Sequence, residues 1–113
     1  MTISARDSSG IHIVQLEGQI RISSQNDFKD YLDRLSSDFG TRTVLLNMAG
    51  ISYMNSAGIG IIVDSFKKFR EKSGHLTMCS LSPDIFRLFE VTKLNRFIDI
   101  YEDETVALEK MKG

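Results

Sequence analysis

The chain has 113 residues, a common size for one domain, and its 42% hydrophobic content is enough to fill a core without disulfides or metal ions. Its 14 basic and 15 acidic residues leave a net charge of −1, and no basic run is longer than the pair Lys67-Lys68. This balance excludes nucleic acids and anionic membranes as expected partners, and we expect residues 1–113 to form a single domain.

The first third of the chain predicts a β-hairpin followed by a helix. Apolar and polar residues alternate from Ile11 to Leu16, and a turn-forming segment at residues 7–10 precedes them, so a short strand over residues 2–6 is expected to pair with this strand. Ser23 or Ser24 is expected to cap the helix. The apolar stripe of that helix has the spacing i, i+3, i+4, i+7 and consists of Phe28, Tyr31, Leu32 and Leu35.

The rest of the chain alternates between strand and helix patterns. Residues 43–48 are almost continuously apolar, as in a central strand covered on both faces, and helical spacing then runs from about Asn55 to residues 73–74. The later predicted elements are a strand at 76–81, a helix that starts at Ser82-Pro83, a strand at 97–101 and a helix capped by Asp103. The order β-β-α-β-α-β-α-β-α predicts an α/β fold in which the later strands pair in parallel through right-handed crossovers.

Cysteine and histidine usage indicates where the protein works and which sites it lacks. Cys79 is the only cysteine and lies in an apolar strand, so we expect a buried thiol and a cytoplasmic protein. The N-terminus lacks the apolar core of a signal peptide, and no run of about 18 apolar residues predicts membrane insertion. His12 and His75 have no other ligand types at metal-binding spacing, so no metal site is expected.

The junction between the central strand and the second helix is the strongest candidate site. Small residues, Ser56, Ala57, Gly58 and Gly60, occupy the first turn of a helix that is otherwise bulky. Small residues allow another backbone or a phosphate to approach, and a helix start offers unpaired N–H groups and the positive end of the dipole. Taken alone, the pattern favours a serine that only caps a helix and glycines that only ease packing.

The segment Tyr53-Met54-Asn55-Ser56-Ala57-Gly58-Ile59-Gly60 resembles the Met-Asp-Ser-[Ser/Thr]-Gly-Leu-Gly signature of STAS domains, specifically of bacterial anti-sigma factor antagonists. Three other segments fit the same family: Gly18 with Ile20 matches its Gly-x-Leu, residues 44–47 match a Val-Leu-Asn-Leu strand, and residues 80–89 match a Ser-Pro-x-x-x-x-Leu-Phe helix. The resemblance implies a STAS-type mixed, mostly parallel sheet of about five strands with about four helices.

The resemblance also implies how the protein works. In that family the serine that matches Ser56 is phosphorylated by a partner that is both serine kinase and anti-sigma factor, and a PP2C-type phosphatase removes the phosphate. The unmodified protein binds the kinase and so releases a sigma factor. ATP and Mg²⁺ belong to the kinase, so this chain is expected to be a non-enzymatic, cofactor-free binding module, and a monomer when free.

Two positions depart from the family pattern. Asn55 stands where the family usually has Asp before the phosphorylated serine, and Arg21 stands where the Gly-x-Leu is usually followed by Asp. Both exchanges make the site less acidic. If Arg21 lies near Ser56, it can pair with a phosphate there; alternatively, the loss of both carboxylates indicates that kinase recognition has lapsed.

Helical projection extends the predicted docking surface along the second helix. Ile61 and Lys68 project away from its apolar stripe, so Ile61 is expected to face solvent or a partner. The predicted partner-binding residues are Arg21, Asn55, Ser56, Ala57, Gly58, Gly60, Ile61 and Lys68.

Three other functions compete with this one. An enzyme with Ser56 as nucleophile would need a Gly-x-Ser-x-Gly elbow and a nearby histidine, and neither is evident. A receiver domain would need an acceptor Asp at a strand end, where this chain has Asn47 or Met48. The remaining alternative is a STAS scaffold or regulatory subunit that is not phosphorylated, in a stressosome-like complex or a lipid-transport ATPase. The departures from the family pattern at Arg21 and Asn55 support this alternative.

Overall fold

A computed structural model describes residues 1–112. The elements in chain order are β1 Thr2–Ser8, β2 Ile11–Ile20, α1 Gln25–Ser37, β3 Thr43–Met54, α2 Ser56–Glu71, β4 His75–Cys79, α3 Pro83–Val91, a 3₁₀ turn at Leu94–Arg96, β5 Ile100–Tyr101 and α4 Glu104–Lys112. The predicted fold class is confirmed, with five strands and four α-helices in the predicted order.

The five strands form one mixed sheet in the order β1-β2-β3-β4-β5. β1 and β2 are an antiparallel hairpin whose turn residues Ser9 and Gly10 have φ values of 53° and 80°, a left-handed conformation that suits a tight hairpin turn. All later neighbours pair in parallel, as the alternation of strands and helices requires. The carboxyl ends of β2 and β3 therefore lie side by side.

Helices cover both faces of the sheet. The main core lies between one face and the helices α1, α2 and α3, and contains Phe28, Phe69 and Phe89, each with no solvent exposure. α4 covers part of the other face through Ala107, which packs with Cys79. Burial raises the pKa of the Cys79 thiol, as expected for a cysteine that serves as a small apolar residue.

Two of the observed strands differ from the predicted ones in ways that matter for the site and the surface. β3 continues to Met54 instead of ending near residue 48, because Ile51 and Met54 remain buried and pair with the last residues of β2. Gly50 permits this extension, since a Cβ there would lie 2.7 Å from the carbonyl oxygen of Leu16. β5 is only two residues long, and Phe97, expected in that strand, follows the 3₁₀ turn and is 66% exposed.

None of the helices formed by residues 1–112 combines the length and the apolar composition that crossing a membrane requires. The same residues contain no group of three or more His, Cys, Asp or Glu side chains arranged to hold a metal ion.

Candidate functional site

Ser56 is the first residue of α2 and is exposed. β3 ends two residues earlier at Met54, which pairs with Ile20 at the end of β2. The backbone N–H of Asn55 donates to the carbonyl oxygen of Ile20 over 3.0 Å, so the two chain segments stay in register as they leave the sheet. The hydroxyl of Ser56 has no hydrogen-bond partner among residues 1–112 and is free for chemistry with a visiting molecule.

Asn55, and not Ser56, caps α2. Its Oδ1 accepts a hydrogen bond from the backbone N–H of Gly58 over 3.0 Å, and its Nδ2 donates to Oε1 of Gln25 over 2.8 Å. The hypothesis that Ser56 is only a helix cap is therefore wrong. Asn55 fixes the first turn of α2 and ties it to the start of α1, while the next residue keeps its side chain free.

Replacing Asn55 with Ala is expected to lower the free energy of unfolding by about 1–2 kcal/mol, because the cap is lost and Gln25 loses its partner. Asn55→Asp is the matched variant. Its carboxylate still accepts from Gly58, accepts from Nε2 of Gln25 once that side-chain amide turns over, and lies at the positive end of the helix dipole, so we expect a change within about 0.5 kcal/mol. Urea denaturation measures both; equal losses for the two variants would contradict the capping role.

An open pocket beside Ser56 also contains Arg21. The pocket is lined by Arg21, Ile22, Ser23, Gln25, Tyr53, Asn55, Ser56 and Ala57. The Cζ atom of Arg21 lies 5.3 Å from the centre of the Tyr53 ring, in cation–π distance. The lining therefore contains one cation and no carboxylate, so the pocket favours an anion.

Sequence reasoning missed two exposed apolar residues of this pocket. Ile22 is 84% exposed and Tyr53 is 47% exposed, and both lie beside Ser56. Tyr53 was missed because β3 was predicted to be too short. Ile22 had a signal in the sequence, since it is an isolated apolar residue between a strand end and a helix start. Exposed apolar side chains around a polar centre are typical of a protein-binding surface.

The two glycines of the first turn differ in their surroundings. Gly58 is buried, and a Cβ there would lie 2.5 Å from Cγ of Met54 and 3.1 Å from Cγ2 of Ile20. Gly60 is exposed, and a Cβ added there would have no neighbour within 4 Å. Gly58 therefore lets α2 approach the strand ends and is not open to a partner, whereas Gly60 and the half-buried Ala57 are accessible from outside.

The predicted exposure of Ile61 is wrong. Its side chain is half-buried and packs against the main core, because α2 contacts α1 as well as the sheet and so buries more than one narrow stripe. Lys68 lies twelve residues after Ser56, roughly 18 Å along the helix. It contacts Asp33 and Asp64, each over 3.1 Å, and these hydrogen bonds raise the pKa of its ammonium group. Lys68 thus joins α2 to α1 outside the Ser56 pocket.

Residues 2–107 match the family model of the STAS domain. The chain belongs to the STAS domain family. It is 33% identical over 98 residues to the anti-sigma-B factor antagonist of Listeria monocytogenes. The matched region covers 87% of this chain and 84% of that relative. The family resemblance carried by the sequence around Ser56 is confirmed.

Solved structures of STAS proteins share the fold. An anti-sigma factor antagonist from Mycobacterium paratuberculosis superimposes with a TM-score of 0.89 at 17% identity, over 99% of this chain and 94% of the other. The phosphorylated form of the Bacillus cell fate determinant SpoIIAA superimposes with a TM-score of 0.77 at 14% identity, over 97% of this chain and 99% of that one. At these identities the likeness is one of fold.

Proposed function

We propose that this STAS protein is an anti-sigma factor antagonist that binds a serine-kinase anti-sigma factor and is released by phosphorylation at Ser56. The proposal depends on one observation: the hydroxyl of Ser56 is exposed at the start of α2 and makes no hydrogen bond within residues 1–112. The name of the Listeria relative and the phosphorylated form of SpoIIAA support it.

The chemistry of the switch requires only that Ser56 be presented to the kinase. Its Oγ attacks the γ-phosphorus of ATP held by the kinase, a new O–P bond forms, the bond to ADP breaks, and the hydroxyl proton passes to a base of the kinase. A PP2C-type phosphatase reverses the change with water and releases inorganic phosphate. The nucleotide and metal are carried by the partners, and this chain acts as substrate and ligand without catalysing a step.

The electrostatics of the pocket explain why phosphorylation releases the partner. A phosphoserine adds about −1.5 to −2 charges at pH 7. Ile22 and Tyr53 supply exposed apolar area around Ser56, and a partner that covers them would enclose the new anion away from water. The cost of burying that charge opposes docking. The fold itself is retained, since the side chain of Ser56 is exposed and makes no hydrogen bond within residues 1–112.

The direct test is phosphotransfer followed by intact mass measurement. We expect the wild-type protein, incubated with its cognate serine kinase and ATP, to gain one phosphoryl group. Ser56→Ala is expected to gain none, while binding the kinase with unchanged affinity. Ser23→Ala is a matched control in the same pocket and is expected to be modified like wild type.

A constitutive STAS scaffold is the second candidate, because Arg21 and Asn55 replace the acidic residues that the family usually has. Wild-type protein that binds the kinase but gains no mass under conditions where the kinase modifies another antagonist would favour the scaffold and contradict the switch.

A further inference from the structure

We infer that Arg21 forms an ion pair with the phosphate carried by Ser56, so that phosphorylation reverses the sign of the charge in this pocket. The inference rests on the proposed function, because it concerns the modified state of the same serine. It goes further by assigning a role to a residue of the β2–α1 connection.

Strand register brings the two residues together. Ile20 and Met54 are paired residues of the parallel strands β2 and β3, and the N–H of Asn55 donates to the carbonyl oxygen of Ile20. Arg21 and Ser56 follow these paired positions closely and line one pocket. Neighbouring parallel strands lie about 4.8 Å apart, a distance that an arginine side chain and a phosphoserine together span with ease.

The backbone of Arg21 is fixed, whereas its side chain is available. Its N–H donates to Oγ of Ser24 over 3.0 Å, and its carbonyl oxygen accepts from the N–H groups of Ser24 and Gln25 over 3.0 and 2.7 Å. The guanidinium makes no ion pair within residues 1–112, and it rests on the face of Tyr53. Stacking on the ring leaves the N–H groups of its edge free to donate to an anion.

Arg34 shows that the arrangement at Arg21 is particular to this site. Arg34 also lies over a tyrosine, with its Cζ 5.8 Å from the centre of the Tyr31 ring. Its pocket, however, contains Asp27, Asp30 and Asp33, so the cation is surrounded by negative charge. The Ser56 pocket has no carboxylate in its lining, and Arg21 is therefore the cation that a phosphate there would meet.

The charge balance follows from these residues. The unmodified pocket carries one positive charge. Phosphate oxygens readily accept two hydrogen bonds at once from the N–H groups of a guanidinium. The phosphate brings about −1.5 to −2 charges, so the modified pocket has a net negative charge even when Arg21 is paired with it. A partner that tolerates the cation of the unmodified pocket then meets an anion at the same place.

The test uses protein in which phosphoserine is installed at position 56 by chemical ligation, so that no kinase is needed. We would follow the second ionisation of the phosphate by ³¹P NMR as a function of pH in otherwise wild-type, Arg21→Gln and Arg34→Gln proteins. A cation held against the phosphate favours the dianion. We therefore expect the phosphate pKa to rise by about 0.5 units or more in Arg21→Gln and to stay at the wild-type value in Arg34→Gln.

Each outcome decides the inference. Coincident titrations of wild type and Arg21→Gln, in folded proteins with matching amide spectra, would overturn it. An equal rise in Arg34→Gln would also overturn it, because the effect would then reflect net charge alone. Failure of phosphotransfer from a kinase leaves these titrations unaffected, so the inference and the proposed function fail separately.

Discussion

Replacing Ser56 with Asp is expected to weaken binding of the protein to the proposed serine-kinase partner by about 2 kcal/mol, roughly thirtyfold in the dissociation constant. The new carboxylate lies at the centre of a surface that includes the exposed side chains of Ile22 and Tyr53, and docking would remove it and the neighbouring Arg21 from water, a desolvation cost that their mutual attraction does not fully offset. Isothermal titration calorimetry with the purified kinase measures the change.

The stability of Ser56→Asp separates an effect on docking from an effect on folding. Ser56 makes no hydrogen bond that Asp would break, and a carboxylate at the start of a helix is favourable, so the free energy of unfolding should stay within about 0.5 kcal/mol of wild type or rise. Ser4→Asp, which places the same charge on the exposed strand β1, is the matched control and should bind like wild type. Equal affinities of Ser56→Asp and Ser4→Asp would contradict the docking surface.

Replacing Gly58 with Val is expected to lower the free energy of unfolding by about 2 kcal/mol or more. Even the first side-chain carbon would lie 2.5 Å from Cγ of Met54, whose side chain is buried, and 3.1 Å from Ile20. Met54 and Ile20 end β3 and β2, so relief of the overlap requires α2 to move away from the strand ends. Thermal or urea denaturation measures the loss.

Gly60→Val is the control for Gly58→Val. It makes the same substitution two residues along the same helix, at an exposed position with open space around it. Helix propensity changes little between Gly and Val, so we expect the free energy of unfolding to change by less than about 0.5 kcal/mol. If the two variants lost equal stability, the close packing at Gly58 would not account for the loss.

Most of the fold followed from local sequence patterns. Ser82 accepts a hydrogen bond from the N–H of Ile85 and precedes Pro83, and Asp103 accepts from Val106, so both predicted caps are confirmed. These features depend on residues within one turn of each other, and spacing alone reveals them. The hairpin and the alternation of strands and helices were predictable for the same reason.

The errors arose where distant segments decide the structure. The last part of β3 is stabilised by pairing with β2, and Ala49-Gly50 within it has low strand propensity, so the pattern favoured an early end. Ser24 precedes α1 without a capping hydrogen bond, because its hydroxyl oxygen accepts from the N–H of Arg21 and its proton goes to the carbonyl oxygen of Gln19.

The site was predictable only in part. The resemblance singled out Ser56 and Arg21, and strand register explains why both line one pocket. The pairing of Asn55 with Gln25 and the stacking of Arg21 on Tyr53 join segments about thirty residues apart, which sequence spacing does not reveal.

Asn55 caps α2 and Ser56 does not, and this difference affects the expected lifetime of the protein in a cell. Degradation of a small domain generally follows how often it opens, which its folding free energy sets. Since the capping bonds come from Asn55, adding or removing a group on Ser56 leaves those bonds untouched. Phosphorylation as proposed at Ser56 would therefore not weaken the fold, and a phosphate at the positive end of the helix dipole adds stability, so the modified form should be turned over no faster than the unmodified one.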